Sequence, residues 1–322
     1  MCGNVSVIVP TFNNSQTVKT TIQSVLMQKL DEPPDIIVVD DASTDNTVFL
    51  VESMGLKVTR NLQNLGLAAS LNKGIRLSKS DFVVTLHGDT TPLNGDWLSQ
   101  LTAPLVLGEA DATCSLQHAP LCNGPTCSIW EKFLWGKLGP HHALNDKADG
   151  YQKETILKLG GFDEVRFRTA GEDEDMAFRL RLSMARIAPT RAEVRHDHRF
   201  DTKSKTRILE KILAKEYTFG RCGGALRRKF PTHRPGAYVY PSVKSPFSDG
   251  AFRVCLCIGA LIPYLQLICI PGLVGVSLLG INSTKTNTRL GFRIILYPIF
   301  NIARFWSYTL GYLHGLVTGR QV

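Results

Sequence analysis

Two groups of carboxylates stand out in this 322-residue chain. The first is Asp40-Asp41, which ends the apolar run Ile36-Ile37-Val38-Val39 and precedes Ala42-Ser43-Thr44-Asp45. The second follows the frame Gly160-Gly161-Phe162-Asp163-Glu164 and reads Gly171-Glu172-Asp173-Glu174-Asp175. Acids at the end of an apolar strand lie where an open α/β sheet binds its ligands. Several carboxylates on one short stretch repel one another unless a cation or a proton transfer uses them. Together the two groups imply an enzyme that handles a nucleotide and moves a proton. Each group also has a plainer reading. An acid pair before Ser-Thr makes a turn or a helix cap, and an acidic helix start complements the helix dipole.

The elements that must position these acids alternate. Val5–Val9 reads as a buried strand stopped by Pro10, residues 17–28 as a helix, and residues 35–39 as a second strand running into Asp40-Asp41. Residues 47–54 read as helix, 57–59 as a short strand, 68–78 as helix, and Phe82–Leu86 as a strand that ends at His87-Gly88-Asp89. Such alternation predicts a doubly wound α/β sheet. From about Cys114 to Tyr151 the pattern weakens, and a loop-rich cover is expected there. Helices are expected over 154–160 and 174–185, with a short strand over 192–195.

The formal net charge of +9 is concentrated between His196 and Arg234, where basic residues far outnumber Asp201, Glu210 and Glu216. Such a block favours anionic partners. A nucleic-acid binder would explain it, but not the acidic frames or the apolar tail, so no nucleic-acid partner is expected. Residues 207–219 are amphipathic, with Ile208, Leu209, Ile212, Leu213 and Tyr217 on one face. That pattern suits a helix lying on a membrane, or one packed on its own domain. The start Met1-Cys2-Gly3-Asn4 has no basic segment, and Val5–Val9 is too short for a secretory signal. The N-terminal domain is therefore expected in the cytoplasm.

Val254 to Ile281 has no charged residue, and a second apolar run, Gly291 to Gly319, carries Arg293 and Arg304. The first is long enough to span a bilayer, though Pro263 and Pro271 would kink it. Gly311, Gly315 and Gly319 form a small-residue stripe that lets another helix approach closely. A C-terminal transmembrane hairpin is the expectation, with a single span plus an interfacial helix as the alternative. The chain then divides into a catalytic domain at 1–200, a basic amphipathic or interfacial segment at 201–250 and membrane helices at 251–322. Its expected location is the cell membrane.

The frames VSVIVPTFN, VVDDASTDNT, NLGLAASLNKGI, LHGDTTP and GGFDE…GEDEDMAFRL, in that order, resemble family 2 of the inverting glycosyltransferases over about residues 4–200. The resemblance implies a GT-A fold (a Rossmann-like, doubly wound mixed sheet), a nucleotide-sugar donor, a divalent cation (Mg²⁺ or Mn²⁺) and single displacement. It implies that Asp41 accepts a hydrogen bond from the donor base while Asp40 braces the turn, and that Pro10, Thr11 and Phe12 line the base and ribose. Asn64, Gly66 and Asn72 match the family's NxG…N segment, with a capped glycine turn as the alternative. Asp89 matches the second acid of the Asp-x-Asp metal motif, whereas His87 stands in place of the first. His196, and His198 after it, match a histidine that holds the cation or diphosphate. Asp173 matches the general base and Glu172 an acceptor-orienting acid, while Asp175 and Arg179 would pair with neighbours.

The implied activity is hexosyl transfer from a UDP- or GDP-sugar to a membrane-associated acceptor, either a polyprenyl phosphate or a lipid-linked glycan. The alternatives are an inactive GT-A scaffold, for which His87 argues, and a processive polysaccharide synthase, against which the missing Gln-x-x-Arg-Trp motif argues.

Overall fold

The computed structural model describes residues 5–30, 32–119, 128–135, 140–197, 205–232, 250–278 and 296–320. The chain forms two compact units. The first comprises residues 1–118, 140–198 and 238–242, and the second residues 119–139, 199–237 and 243–322.

The first unit is built on strands β1 (Val5–Thr11), β2 (Asp35–Asp40), β3 (Val58–Arg60), β4 (Phe82–Leu86), β5 (Thr90–Pro92), β6 (Ala112–His118), β7 (His141–His142), β8 (Ala148–Gln152) and β9 (Ile187–His196). They form one sheet in the order β3-β2-β1-β4-β8-β6-β9-β5, with β7 paired to β6. The first four strands of that order are parallel, as alternating apolar strands and helices require. β8 then runs antiparallel to both β4 and β6, which makes the sheet mixed. Successive β1 side chains alternate between layers. Val7 and Val9 pack with Val18, Ile22, Val25 and Trp97, whereas Ile8 packs with Leu71, Ile75, Ile156 and Met176.

The flanking helices are α1 (Val18–Leu26), α2 (Thr47–Glu52), α3 (Leu67–Leu77), α4 (Trp97–Val106), α6 (Lys153–Lys158) and α7 (Glu172–Leu182), with α5 (Ile129–Trp135) in the other unit. Three boundaries differ informatively from the sequence reading. β1 runs through Pro10, because β4 pairs only with Val5–Ile8 and leaves no sheet partner on that side for the missing N–H. α7 begins at Glu172 rather than Glu174, so Glu172 and Asp173 lie in its first turn. The stretch from Cys114 to Tyr151 is bracketed by two inner strands, β6 and β8, and residues 120–127 and 136–139, part of the expected cover, lie outside the described residues. The polar residues of β6 and β8 hid the strand pattern. Ser115 Oγ donates to the carbonyl of Ala148 and accepts the Trp97 indole N–H.

The second unit joins α5 to α8 (Lys205–Lys229), α9 (Gly250–Gly259), α10 (Gln266–Leu278) and α11 (Tyr297–Thr318). Here the expected membrane hairpin is overturned. Among the described residues no helix is long and apolar enough to cross a membrane. The first apolar run breaks around Pro263, and its helices of 10 and 13 residues span only about 15 and 20 Å against a hydrocarbon core of about 30 Å. α11 has 22 residues, but its polar Asn301, Arg304 and His314 are all engaged. Arg304 Nε donates to Glu216 Oε1 of α8 at 2.6 Å, Asn301 donates to the Ser277 carbonyl, and His314 meets the Tyr217 hydroxyl. The expectations of membrane helices, a membrane-anchored chain and a cell-membrane location fall with the hairpin. Lys285, Arg289 and Arg293, weighed in that reading, lie outside the described residues.

The small-residue stripe of α11 does receive a helix, and that helix is α8. A Cβ on Gly311 or Gly315 would land on the Tyr217 or Arg221 carbonyl of α8, and one on Gly220 or Gly224 of α8 would land on the α11 backbone. Glycine pairs four residues apart on both helices allow this approach. The apolar face of α8 packs within its own unit, with Ile208 and Ile212 buried against Phe133, Tyr297 and Phe300. Gly311→Leu should therefore force α8 and α11 apart and destabilise the protein by about 1–3 kcal/mol or more, as overpacking does. Thermal unfolding of the full chain checks this.

Candidate active site

The parallel strands end at one edge of the sheet, and a cleft opens there. Pro10, Thr11 and Phe12 at the end of β1, Asp41 after β2, Asn64 before α3, and His87, Gly88 and Asp89 after β4 all line it. Of the nucleotide-site residues expected from sequence, Gly66 and Asn72 do not. Gly66 shapes the loop beside the cleft, and Asn72 lies deeper. It is buried and holds the Gly161-Phe162 frame in place. Its Oδ1 accepts the Phe162 N–H at 2.8 Å, and its Nδ2 donates to the Phe162 carbonyl and to Glu164. Four lining residues escaped the sequence reading: Asn14, Leu67, Ser70 and Thr169. Asn14 and Ser70 sit inside the quoted frames or beside them. Thr169 lies between two frames and had no signal of its own.

Asp40 and Asp41 divide their work. Asp40 accepts bonds from Thr11 Oγ1 and the Ser43 N–H and pairs with Arg60, so it braces the turn after β2. The Asp41 carboxylate accepts from Asn61 Nδ2, the Leu65 N–H and the Gly66 N–H, each at 2.8 Å. It thus organises the Asn61–Gly66 loop as well as facing the cleft. A carboxylate has about four acceptor sites, so one remains for a ligand. Gly66 is required by this loop. Its φ is +99°, and a Cβ would stand 2.5 Å from the Arg168 carbonyl. Arg168 closes the contact by donating to the Asn64 carbonyl at 2.7 Å.

Asp89 meets His196, with Oδ2 3.3 Å from Nε2. Sheet pairing brings them together across 107 positions: β9 is longer than its apolar core suggests, and its His196 pairs with Thr90 in β5, next to Asp89. The Asp197 N–H donates to the Asp89 carbonyl at 2.8 Å. A carboxylate oxygen and an imidazole nitrogen suit a divalent cation whose remaining ligands come from a diphosphate. Among the described residues no group of three or more His, Cys, Asp and Glu is placed to hold a metal without such help. His198 lies outside the described residues.

Behind the cleft wall lies a group of buried acids. Glu172 is 3% exposed and Asp146 and Asp149 no more than 2%. Burial pushes the Asp146, Asp149 and Glu172 carboxyls well above the usual carboxylate range, and the neighbouring acids push them further. Asp146 Oδ2 and Glu172 Oε2 have no hydrogen-bond partner among the described residues. Asp173 is raised too, by burial first, with the charge of Lys147 and then of His87 acting the other way. Its Oδ1 accepts the Glu174 N–H at 2.7 Å. Asp173 therefore stands within electrostatic reach of His87 on the cleft wall, four residues beyond the cleft-lining Thr169. Asp175 is fully buried and pairs with Arg179 at 2.7 Å, while Arg179 also donates to the Leu159 carbonyl, so both fix the helix start. Lys147 and Asp146 were missed in the sequence, because nothing in Asn145-Asp146-Lys147 shows that it folds against α7.

Comparison with known proteins now adds to this geometry. The sequence model of the family described as Glycosyl transferase family 2 matches residues 6–149. A chondroitin synthase of Pasteurella multocida is 33% identical over 217 residues, covering 54% of this chain and 22% of that protein. A pre-mycofactocin glycosyltransferase of Mycobacterium tuberculosis is 28% identical over 215 residues, covering 61% of this chain and 43% of that protein. The chain thus spans less than half the length of these relatives. Among solved structures, the mannosyltransferase PcManGT of Pyrobaculum calidifontis, in complex with GDP-Man and Mn²⁺, shares the fold. Its TM-score is 0.61 at 13% identity, covering 97% of this chain and 88% of that one. The similarity to family 2 glycosyltransferases expected from the sequence thus holds over residues 6–149, which carry every cleft-lining residue named above except Thr169.

The buried acids set a pH dependence of stability. Their folded pKa values lie above the unfolded values, so their contribution is complete below the unfolded pKa of about 4 and is lost as pH rises toward the folded values. Unfolding temperature should fall as pH rises above the ordinary carboxylate value of about 4. Glu172→Gln, which cannot ionise, should flatten that fall.

Proposed function

We propose that this chain transfers a hexose from a UDP- or GDP-sugar to an acceptor by single displacement with inversion. The observation that carries the reading is His87, a cleft-lining residue whose charge acts on Asp173, although Asp173 is not itself among the lining residues. Asp89 lines the cleft beside His87. Leaving-group and nucleophile chemistry can thus meet in one place.

The proposed residue roles join the family resemblance to the geometry of the cleft. Pro10, Thr11 and Phe12 would seat the base and ribose, with Asp41 offering its remaining acceptor site to a base N–H. Asn64 and Gly66 shape the neighbouring wall. Asp89 and His196 would hold a divalent cation, Mg²⁺ or Mn²⁺, with diphosphate oxygens completing its shell. When bound, that cation neutralises charge on the departing nucleotide. Asp173 would take the proton from an acceptor hydroxyl as its oxygen attacks the anomeric carbon. Burial raises its pKa, which makes it a stronger base than an exposed aspartate. Glu172 is buried, so its part is to set the position and charge of Asp173 rather than to touch the acceptor. Asn72 acts only through the frame it holds.

The acceptor class follows from chemistry. A lipid-linked glycan presents a hydroxyl that needs Asp173, whereas a polyprenyl phosphate arrives already ionised and does not. The name of one relative, a chondroitin synthase, supports the glycan reading. The PcManGT complex, with GDP-Man and Mn²⁺, offers the matching donor class on the same fold. A second reading, an inactive scaffold, draws on His87 in place of an acid and predicts nucleotide binding without turnover.

Transfer or slow hydrolysis of a panel of UDP- and GDP-sugars tests these readings. With a hydroxyl acceptor, Asp173→Asn should lower kcat by roughly 10²–10⁴-fold at little cost in donor affinity. Because the raised pKa belongs to a base that must be unprotonated, the rate should rise with pH through a limb above the ordinary aspartate value of about 3.9. That limb should vanish in the variant. Nucleotide binding without turnover by the unaltered protein would favour the scaffold instead.

A further inference from the structure

Where the resembling family carries an acid, this chain carries His87, and a buried acid stands directly behind it. His87 Nε2 lies 2.9 Å from Asp146 Oδ1, an ion-pair contact that does not meet hydrogen-bond geometry. The ring lines the cleft, whereas the Asp146 side chain is only 2% exposed. The backbone repeats the link, because the His87 N–H donates to the Lys147 carbonyl at 3.0 Å.

The turn that carries Asp146 is itself fixed. Asp149 Oδ2 accepts the N–H groups of Asn145 and Asp146 at 2.7 and 2.6 Å. Asn145 is tied to Gln117 through both of its amide atoms, at 2.6 and 3.0 Å. Asp146 has φ +56°, a left-handed conformation that a non-glycine residue adopts at some cost. A strained backbone, a buried carboxyl and a second Asp146 oxygen without a partner among the described residues are an expensive combination for a structural turn. They are accounted for if the carboxyl has work to do on the ring.

We infer that Asp146 is a positioning residue of the donor site. It clamps His87 and decides which ring nitrogen carries hydrogen, so the imidazole presents one fixed polar atom to a hydroxyl of the nucleotide-sugar. The acid of the motif position is in this sense displaced one layer inward, with an imidazole between it and the ligand. An imidazole held in this way can donate to or accept from a ribose or sugar hydroxyl. It adds no negative charge beside the diphosphate, which an aspartate at position 87 would. This rests on the reading of the cleft as a nucleotide-sugar site, and the test separates the two.

The test uses Asp146→Gly, because glycine accepts the left-handed backbone and removes only the carboxyl. Asp146→Asn is the conservative partner, keeping volume and an acceptor oxygen. Imidazole ¹⁵N resonances of the full chain, assigned among its 8 histidines by loss in His87→Gln, report the ring directly and without ligand. The unaltered protein should show one His87 tautomer, Asp146→Gly a mixture, and Asp146→Asn again one form. Titration with UDP and GDP should show Asp146→Gly weakening binding about tenfold, as His87→Gln does, with the double variant no weaker than either, the coupling expected of groups in contact. Unchanged His87 resonances in Asp146→Gly, or losses that simply add in the double variant, would overturn the inference. Failure of the unaltered protein to bind either nucleotide would instead sink the reading of the cleft, while the resonances still decide the pair.

Discussion

Burial of carboxylates beside the cleft is the constraint on which the first unit turns. Asp146, Asp149 and Glu172 are all closed off from solvent, and Asp173 next to them is raised by the same burial. Taking an ionised carboxylate out of water costs several kcal/mol unless the charge is paired or removed by a proton. The chain meets that cost with a small set of devices. Lys147 lies among the acids, His87 faces Asp146, and backbone N–H groups cap Asp149. Burial and the neighbouring acids shift the most buried groups toward their protonated form. An aspartate in such surroundings is a better base than one in water, which is the property that an attacking sugar hydroxyl requires.

The opposite wall is built on the same logic with a different solution. Asp41 is 4% exposed, yet three protein donors surround its carboxylate. Its charge is spent on ordering the Asn61–Gly66 loop, and Gly66 then lets Arg168 approach from the segment that leads to α7. The residues that shape the cleft thus hold one another. The Asn61–Gly66 loop, the frame before the helix and the helix start form one connected network rather than separate motifs.

The helical unit is held by close backbone approach. Two glycines on α8 face two on α11, and a buried Arg304–Glu216 pair crosses between the helices. Breaking such a pair from one side leaves an unpaired buried charge, at a cost of about 3–5 kcal/mol. Apolar side chains do remain outward on α9, α10 and the turn between them, among them Leu261, Tyr264, Leu267 and Ile268. Hydrophobic composition, which suggested transmembrane helices, is therefore real in this region. Among the described residues, the lengths of the helices and the pairing of their charges are what argue against a span.

Local pattern alone determined much of this protein. Apolar runs fixed β1, β2 and β4 to within one or two residues, since a parallel strand buried on both faces must be apolar throughout. The acids and glycines that follow those strands marked the cleft, because sheet topology puts strand ends in one place. The sequence also marked Asp89 and His196, although 107 positions separate them. Other features were decided only by tertiary structure. The inner strands β6 and β8 carry polar residues whose partners lie on other elements, so no periodicity announces them. Asp146 and Lys147 sit in a turn with no motif, and only the sheet pairing of β8 with β4 brings that turn under His87. The glycine stripe of α11 announced a partner helix, but which helix it was depended on a second stripe in α8. A run of apolar residues measures a tendency to leave water and carries no information on what will cover it, so the choice between lipid and protein was left to the fold.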